Sequence, residues 1–137
     1  MPPWIPDGFH TITPRLVADD VAALVAFLKK AFGAIGRVPD EGPAQLRIGD
    51  SLVMVSESGP REATEAFLYL YVQDADATYR RALAAGAVSF EAPADMPYGD
   101  RRAMVKDPGG NVWQIATYRT RRPKKGRPTP PDSSPER

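Results

Sequence analysis

The feature that most constrains this 137-residue chain is an internal repeat. Thr13 to Asp20 reads as a strand running into a helical segment, Val21 to Phe32, that closes on Gly33-Ala34. Phe67 to Asp74 is again a strand, followed by a helical segment, Ala75 to Ala85, that closes on Gly86-Ala87. Asp20 and Asp74 are 54 residues apart and Gly33 and Gly86 are 53 apart, so the offset is nearly constant. A period of this length marks one supersecondary unit used twice.

Local chemistry agrees in both copies. Asp20 and Asp74 stand where a helix N-cap is wanted, because an aspartate there accepts from orphan N–H groups and favours the positive helix end. Val21, Leu24, Val25, Leu28 and Phe32 recur at helical spacing, as do Tyr79, Ala82 and Leu83. Gly33 and Gly86 suit the left-handed position that stops a helix. Three short strand candidates follow each helix: Ala34–Val38, Ala44–Ile48 and Leu52–Ser56, then Ala87–Glu91, Arg102–Lys106 and Val112–Thr117. Gly49-Asp50 and Asp107-Pro-Gly-Gly-Asn111 supply hairpin turns. The pattern predicts an α+β fold of two βαβββ repeats, about residues 9–57 and 66–118. Curved mixed sheets enclose a cleft, with the helices on their outer faces.

Composition narrows the function classes. An apolar content of 42% supports a core in one domain, residues 1–118. There is no cysteine, which removes disulfides, thiolate metal sites and thiolate nucleophiles. Met1 to Asp7 lacks the pattern of a secretory signal, and no apolar run approaches the roughly 20 residues of a membrane span. A cytoplasmic protein is expected. Arg119 to Arg137 holds seven basic and two acidic residues, a net +5 that leaves −4 for the rest of a chain whose total is +1. That stretch also has five prolines, so a disordered basic tail is predicted. The acidic body argues against a nucleic-acid partner. No phosphate loop, dinucleotide fingerprint or serine nucleophile context is present.

Several segments together resemble a known family. They are Gly8 to Val17, Ala31-Phe-Gly-Ala34, Leu46-Arg-Ile-Gly-Asp50, Ala84-Ala-Gly-Ala87, Met96 to Arg101 and Asp107 to Thr117. In this order and spacing they are similar to the PhnB-like branch of the vicinal-oxygen-chelate superfamily, which holds glyoxalase I and the bleomycin-resistance proteins. The resemblance covers about residues 6 to 118. It implies paired modules that form clefts, within one chain or across a homodimer, and in metal-dependent members a divalent ion held by His, Glu or Gln.

Carried onto this sequence, the ligand positions fall on Thr13, Phe67 and Gln114, with the remaining one near Met54 or Ser56. Such metals want imidazole and carboxylate, which this set does not offer. The one histidine, His10, alternates to the opposite face of the strand from Thr13. No metal and no cofactor are expected.

Alternation predicts the cleft lining instead. Thr13, Arg15 and Val17 share a face while Ile12, Leu16 and Ala18 turn to the helix. Phe67, Tyr69 and Tyr71 share the matching face, with Leu68, Leu70 and Val72 in the core. Leu52, Met54 and Ser56 line one side; Arg102, Met104, Val112, Gln114 and Ala116 line the other. Trp113 belongs to the core. The candidate ligand-binding residues are therefore Thr13, Arg15, Met54, Phe67, Tyr69, Tyr71, Arg102, Met104 and Gln114, a set suited to a flat, partly apolar molecule. Arg15 and Arg102 are placed to hold a carboxylate or phosphate. Asp95 to Asp100 reads as a connecting loop or lid, and its two aspartates as a candidate acid–base pair.

Three functions follow. The first is metal-independent binding of a small organic, aromatic ligand by a homodimer, of the sequestration or antibiotic-resistance kind. The second is a metal-dependent lyase, isomerase or dioxygenase with a different ligand register. The third is a regulatory module acting through the tail and dimer surface.

Overall fold

Two aspartates turn strand into helix in this protein, as their positions predict. In the computed structural model, which describes residues 4–59 and 62–119, Asp20 accepts a hydrogen bond from the Ala23 amide at 3.0 Å, and Asp74 accepts one from Ala77 at 3.1 Å. The first caps helix α1 (Val21–Phe32) and the second caps α2 (Ala75–Ala84). Gly33 ends α1 at φ 70°, and Ala34 N–H reaches back to the Leu28 carbonyl at 3.2 Å. Gly86 follows α2 at φ 111°.

Each helix is preceded by one strand and followed by others. The order is β1 (Arg15–Ala18), α1, β2 (Ala44–Ile48), β3 (Ser51–Glu57), β4 (Phe67–Tyr71), α2, β5 (Val88–Asp95), β6 (Arg101–Lys106) and β7 (Val112–Thr117). The first sheet has the order β1-β3-β2, with β1 parallel to β3 and β2 antiparallel to it. The second has the order β4-β7-β6-β5, with β4 parallel to β7 and antiparallel pairs beyond. Both are mixed sheets, and the second is a complete βαβββ unit.

The first unit is one strand short. Of the expected strand Ala34–Val38 only Ile35 pairs, through two hydrogen bonds with Arg47 of 2.9 and 2.8 Å. The next residue ends the pairing. Gly36 adopts φ 145°, and a Cβ there would stand 2.6 Å from the Gln45 carbonyl oxygen and from Leu46 Cδ2. Gly36→Ala is expected to cost about 2 kcal/mol, from backbone strain and overpacking together. A urea unfolding curve checks this, and an unchanged midpoint would contradict it.

The core gathers Leu16, Leu24, Leu28, Leu46, Val55, Val105, Trp113 and Ile115, all buried. Fully burying each such side chain is worth about 1.5–3 kcal/mol before entropy is counted. Trp113 sits in this core as expected, with its ring 4.9 Å from that of Phe32. Phe27 is buried as well, widening the apolar face of α1 beyond the residues expected there. Ile12, in contrast, is 83% exposed and does not face the helix, because regular pairing begins only at Arg15.

The halves meet through their helices. α1 packs against β3 and β1, α2 against β5, β6 and β7, and the two helices pack on each other. Arg81 adds a hydrogen bond from Nε to the Ala31 carbonyl at 3.3 Å. Each sheet therefore has one face covered by helix and one open face. Of the expected basic tail only Arg119 is described, and it pairs with Asp95 at 2.8 Å; residues 120–137 lie outside the described residues. No helix among the described residues is long and apolar enough to cross a membrane.

Candidate functional site

The open face of the second sheet follows from the pleat of β4. Leu68 and Leu70 pack towards the core, which sends Phe67, Tyr69 and Tyr71 to the other side. Phe67 and Tyr71 are 66% and 57% exposed, large values for aromatic side chains on a strand. The register then sets the rows. Tyr69 stands beside Gln114, Gln114 beside Met104, and Met104 beside Glu91. The neighbouring row runs from Tyr71 through Ala116 to Arg102. Val112 and Ala116, expected on this lining, are buried.

A polar cluster organises the aromatics. Asp100 is fully buried, and its Oδ2 accepts from Tyr69 O–H at 2.8 Å and from Tyr71 O–H at 3.0 Å. The Tyr98 and Tyr69 hydroxyls are 3.0 Å apart, and Arg102 Nη1 donates to Tyr98 at 3.3 Å. Arg102 also pairs with Glu91 at 2.7 Å, while its buried Nε has no hydrogen-bond partner among the described residues. Burial, the Tyr98 and Asp100 hydrogen bonds and the Asp100 charge hold the Tyr69 phenol protonated well above its ordinary range. The Tyr69 and Tyr71 rings lie 5.1 Å apart at 53°.

Asp100 anchors the tyrosine cluster and forms no acid–base pair with Asp95, because the structure separates the two aspartates. Asp95 turns to Arg101 at 3.3 Å and Arg119 at 2.8 Å. Arg101 in turn holds Asp76 of α2 through two contacts of 3.0 Å, on the helix side of the sheet. Asp100 lies two residues before Arg102, on the same pleat face, and that spacing was the available signal. Residues 96–100 form a tight β5–β6 connection, with Met96 N–H bonded to the Asp100 carbonyl at 2.8 Å.

The other candidate residues form a second group. Arg15 and Met54 are register neighbours on the first sheet, and Arg15 Nε donates to Ser56 at 2.7 Å. Thr13 is half-buried just before β1, and His10 is exposed. Phe67, Tyr69, Tyr71, Arg102, Met104 and Gln114 all belong to the second sheet. A groove of about 660 Å³ lies along β4, between the Gly49-Asp50 turn and the start of α2, and Tyr69 and Tyr71 form part of its wall. That volume is in the range of small-molecule sites.

The residues at the positions of a divalent-ion site do not fit one. Thr13, Phe67 and Gln114 bring a hydroxyl, a phenyl ring and an amide, and Met54 or Ser56 adds a thioether or a hydroxyl. Among the described residues no group of three or more His, Cys, Asp or Glu side chains is placed to hold an ion.

Comparison with known proteins places this geometry. An uncharacterized protein of Mycobacterium tuberculosis is 37% identical over 124 residues, covering 76% of this chain and 72% of its own length. TioX from Micromonospora sp. ML1 has a crystal structure that superposes with a TM-score of 0.70 at 26% identity, covering 80% of this chain and 99% of that one. An Arabidopsis thaliana gene product, AT5G48480, gives a TM-score of 0.66 at 28% identity over 79% and 98% of the two chains. Residues 8–115 match the family profile itself. With the paired βαβ arrangement and the open sheet faces described above, this chain belongs to the Glyoxalase/Bleomycin resistance protein/Dioxygenase superfamily.

Proposed function

We propose that this protein binds a small, partly aromatic organic molecule on the open face of its second sheet without using a metal, as a sequestering or resistance-type binder. The observation that carries this reading is the exposed stripe Phe67, Tyr69 and Tyr71, which begins at a position where a metal-dependent relative would carry a ligand. An aromatic surface held in place by a buried carboxylate favours stacking, and stacked aromatic pairs add about 0.5–1.5 kcal/mol beyond burial. The binder works in the cytoplasm as a homodimer. Helix packing within one chain leaves both sheet faces open, and a second copy would supply the opposing wall of each cleft. Within the superfamily its kinship is with the PhnB-like branch.

Titration of the purified protein with planar aromatic compounds and bleomycin-type ligands, followed by intrinsic Trp and Tyr fluorescence, tests the proposal. A saturable change is expected, and Phe67→Ala should weaken it by about tenfold. No change with any compound would sink the reading. Sedimentation should give twice the chain mass.

A further inference from the structure

We infer that the Tyr69–Tyr71 face is a subsite for an organic cation, such as the alkylammonium or aromatic cationic part of a ligand. This rests on the small-molecule reading above and adds to it the charge of the ligand. The direction of the hydrogen bonds carries the argument. Tyr69 and Tyr71 both donate their hydroxyl protons to Asp100 Oδ2, at 2.8 and 3.0 Å. Those protons are committed to the carboxylate, so the surface these residues offer a ligand is the π face of each ring. Donation to an anion also pushes electron density back into a phenol ring. That strengthens the negative face of its quadrupole, the feature a cation recognises.

Charge and geometry point the same way. The Arg102 guanidinium beside these rings is already paired with Glu91 at 2.7 Å. The rings are 5.1 Å apart and inclined at 53°, forming two walls of a shallow corner. Tyr71 is 57% exposed, so the corner is open to a ligand. An anionic ligand, in contrast, would have to displace Glu91 to reach Arg102.

The test compares three small aromatics on the full-length protein by NMR titration: benzyltrimethylammonium, neutral N,N-dimethylbenzamide and anionic phenylacetate. The cation is expected to bind about tenfold more tightly than either of the others, with its N-methyl protons shifted upfield by the rings. Tyr71→Leu keeps apolar area but removes the π face. It should lower cation affinity about tenfold and neutral amide affinity by no more than about threefold, the share that stacking on this ring supplies. Tyr71→Phe keeps the ring and loses the polarising hydrogen bond, so an intermediate loss of about threefold is expected; it also decides the matter should the leucine variant not fold. Equal or tighter binding of the amide would overturn the cation inference while leaving the aromatic-binding reading standing. Tighter binding of phenylacetate would overturn it in favour of Arg102 as anchor. Failure of all three to shift any resonance of this face would overturn both.

Discussion

Asp107→Ala is expected to lower folding stability by about 4 kcal/mol, because it leaves several buried donors without a partner at once. The Asp107 carboxylate is buried in the β6–β7 turn. Its Oδ1 accepts from the Gly109 and Asn111 amides at 2.8 and 2.9 Å, and its Oδ2 from the Trp113 indole N–H at 2.8 Å. Asn111 Nδ2 contacts both oxygens, at 3.2 and 3.1 Å, and Asn111 Oδ1 accepts from the Ala66 amide at 3.0 Å, immediately before β4. One carboxylate therefore fixes the turn, the indole that packs on Phe32 and the entry to the aromatic strand. Asp107→Asn keeps an acceptor oxygen, and about half the loss is expected of it. Urea unfolding measures both. A loss below about 1 kcal/mol for the alanine variant would show that water replaces these bonds without penalty.

Asp100→Ala should destabilise by about 3 kcal/mol and should also change how the protein responds to alkali. Two phenol donors lose their acceptor, although the exposure of Tyr71 lets water recover part of the loss. The pH effect has a definite sign. Tyr69 has a folded pKa raised above its ordinary 10.0, so its contribution to stability is fully present below about pH 10 and is lost as pH rises beyond that. Removing the Asp100 charge brings the phenol back down. Ultraviolet titration of the tyrosinate band should therefore show a late-ionising component in the native protein. That component should shrink in Tyr69→Phe and ionise earlier in Asp100→Ala. A native titration with no late component would contradict the hydrogen-bond arrangement.

How much of this was legible in the sequence depends on the range of the interaction involved. The helices were visible because their signals are local. Asp20 and Asp74 accept from the third amide beyond them, and Gly33 reverses the chain at once. The alternation of β4 was equally legible, since Phe67, Tyr69 and Tyr71 must share a face wherever the strand goes. The strand Ala34–Val38 was not: pairing stops at Ile35, and the next residue, Gly36, sits at φ 145°, which strand periodicity does not encode. From the sequence Asp100 reads only as half of an acid–base pair with Asp95 in a connecting loop. Its burial comes from two tyrosines some 30 positions earlier in the chain, a contact that neither periodicity nor composition encodes.

Strand alternation predicts a single lining, and the candidate residues lie in two groups. Arg15 and Met54 are on the first sheet, and the aromatic stripe with Arg102, Met104 and Gln114 is on the second. Sequence alternation says which residues share a face of a strand. It carries no information on how two such faces are turned towards each other, and here that is set by the packing of α1 on α2.

The central claim is that the aromatic face binds its ligand without a metal. It is tested most directly by titrating one planar aromatic ligand into protein dialysed against a chelator and into protein loaded with zinc, manganese, nickel or iron, with metal content measured on the same samples. Equal affinity in all samples, with substoichiometric metal, is predicted. Binding that appears only when one divalent ion per chain is present would contradict the account and return Thr13, Gln114 and their neighbours to the role of ligands.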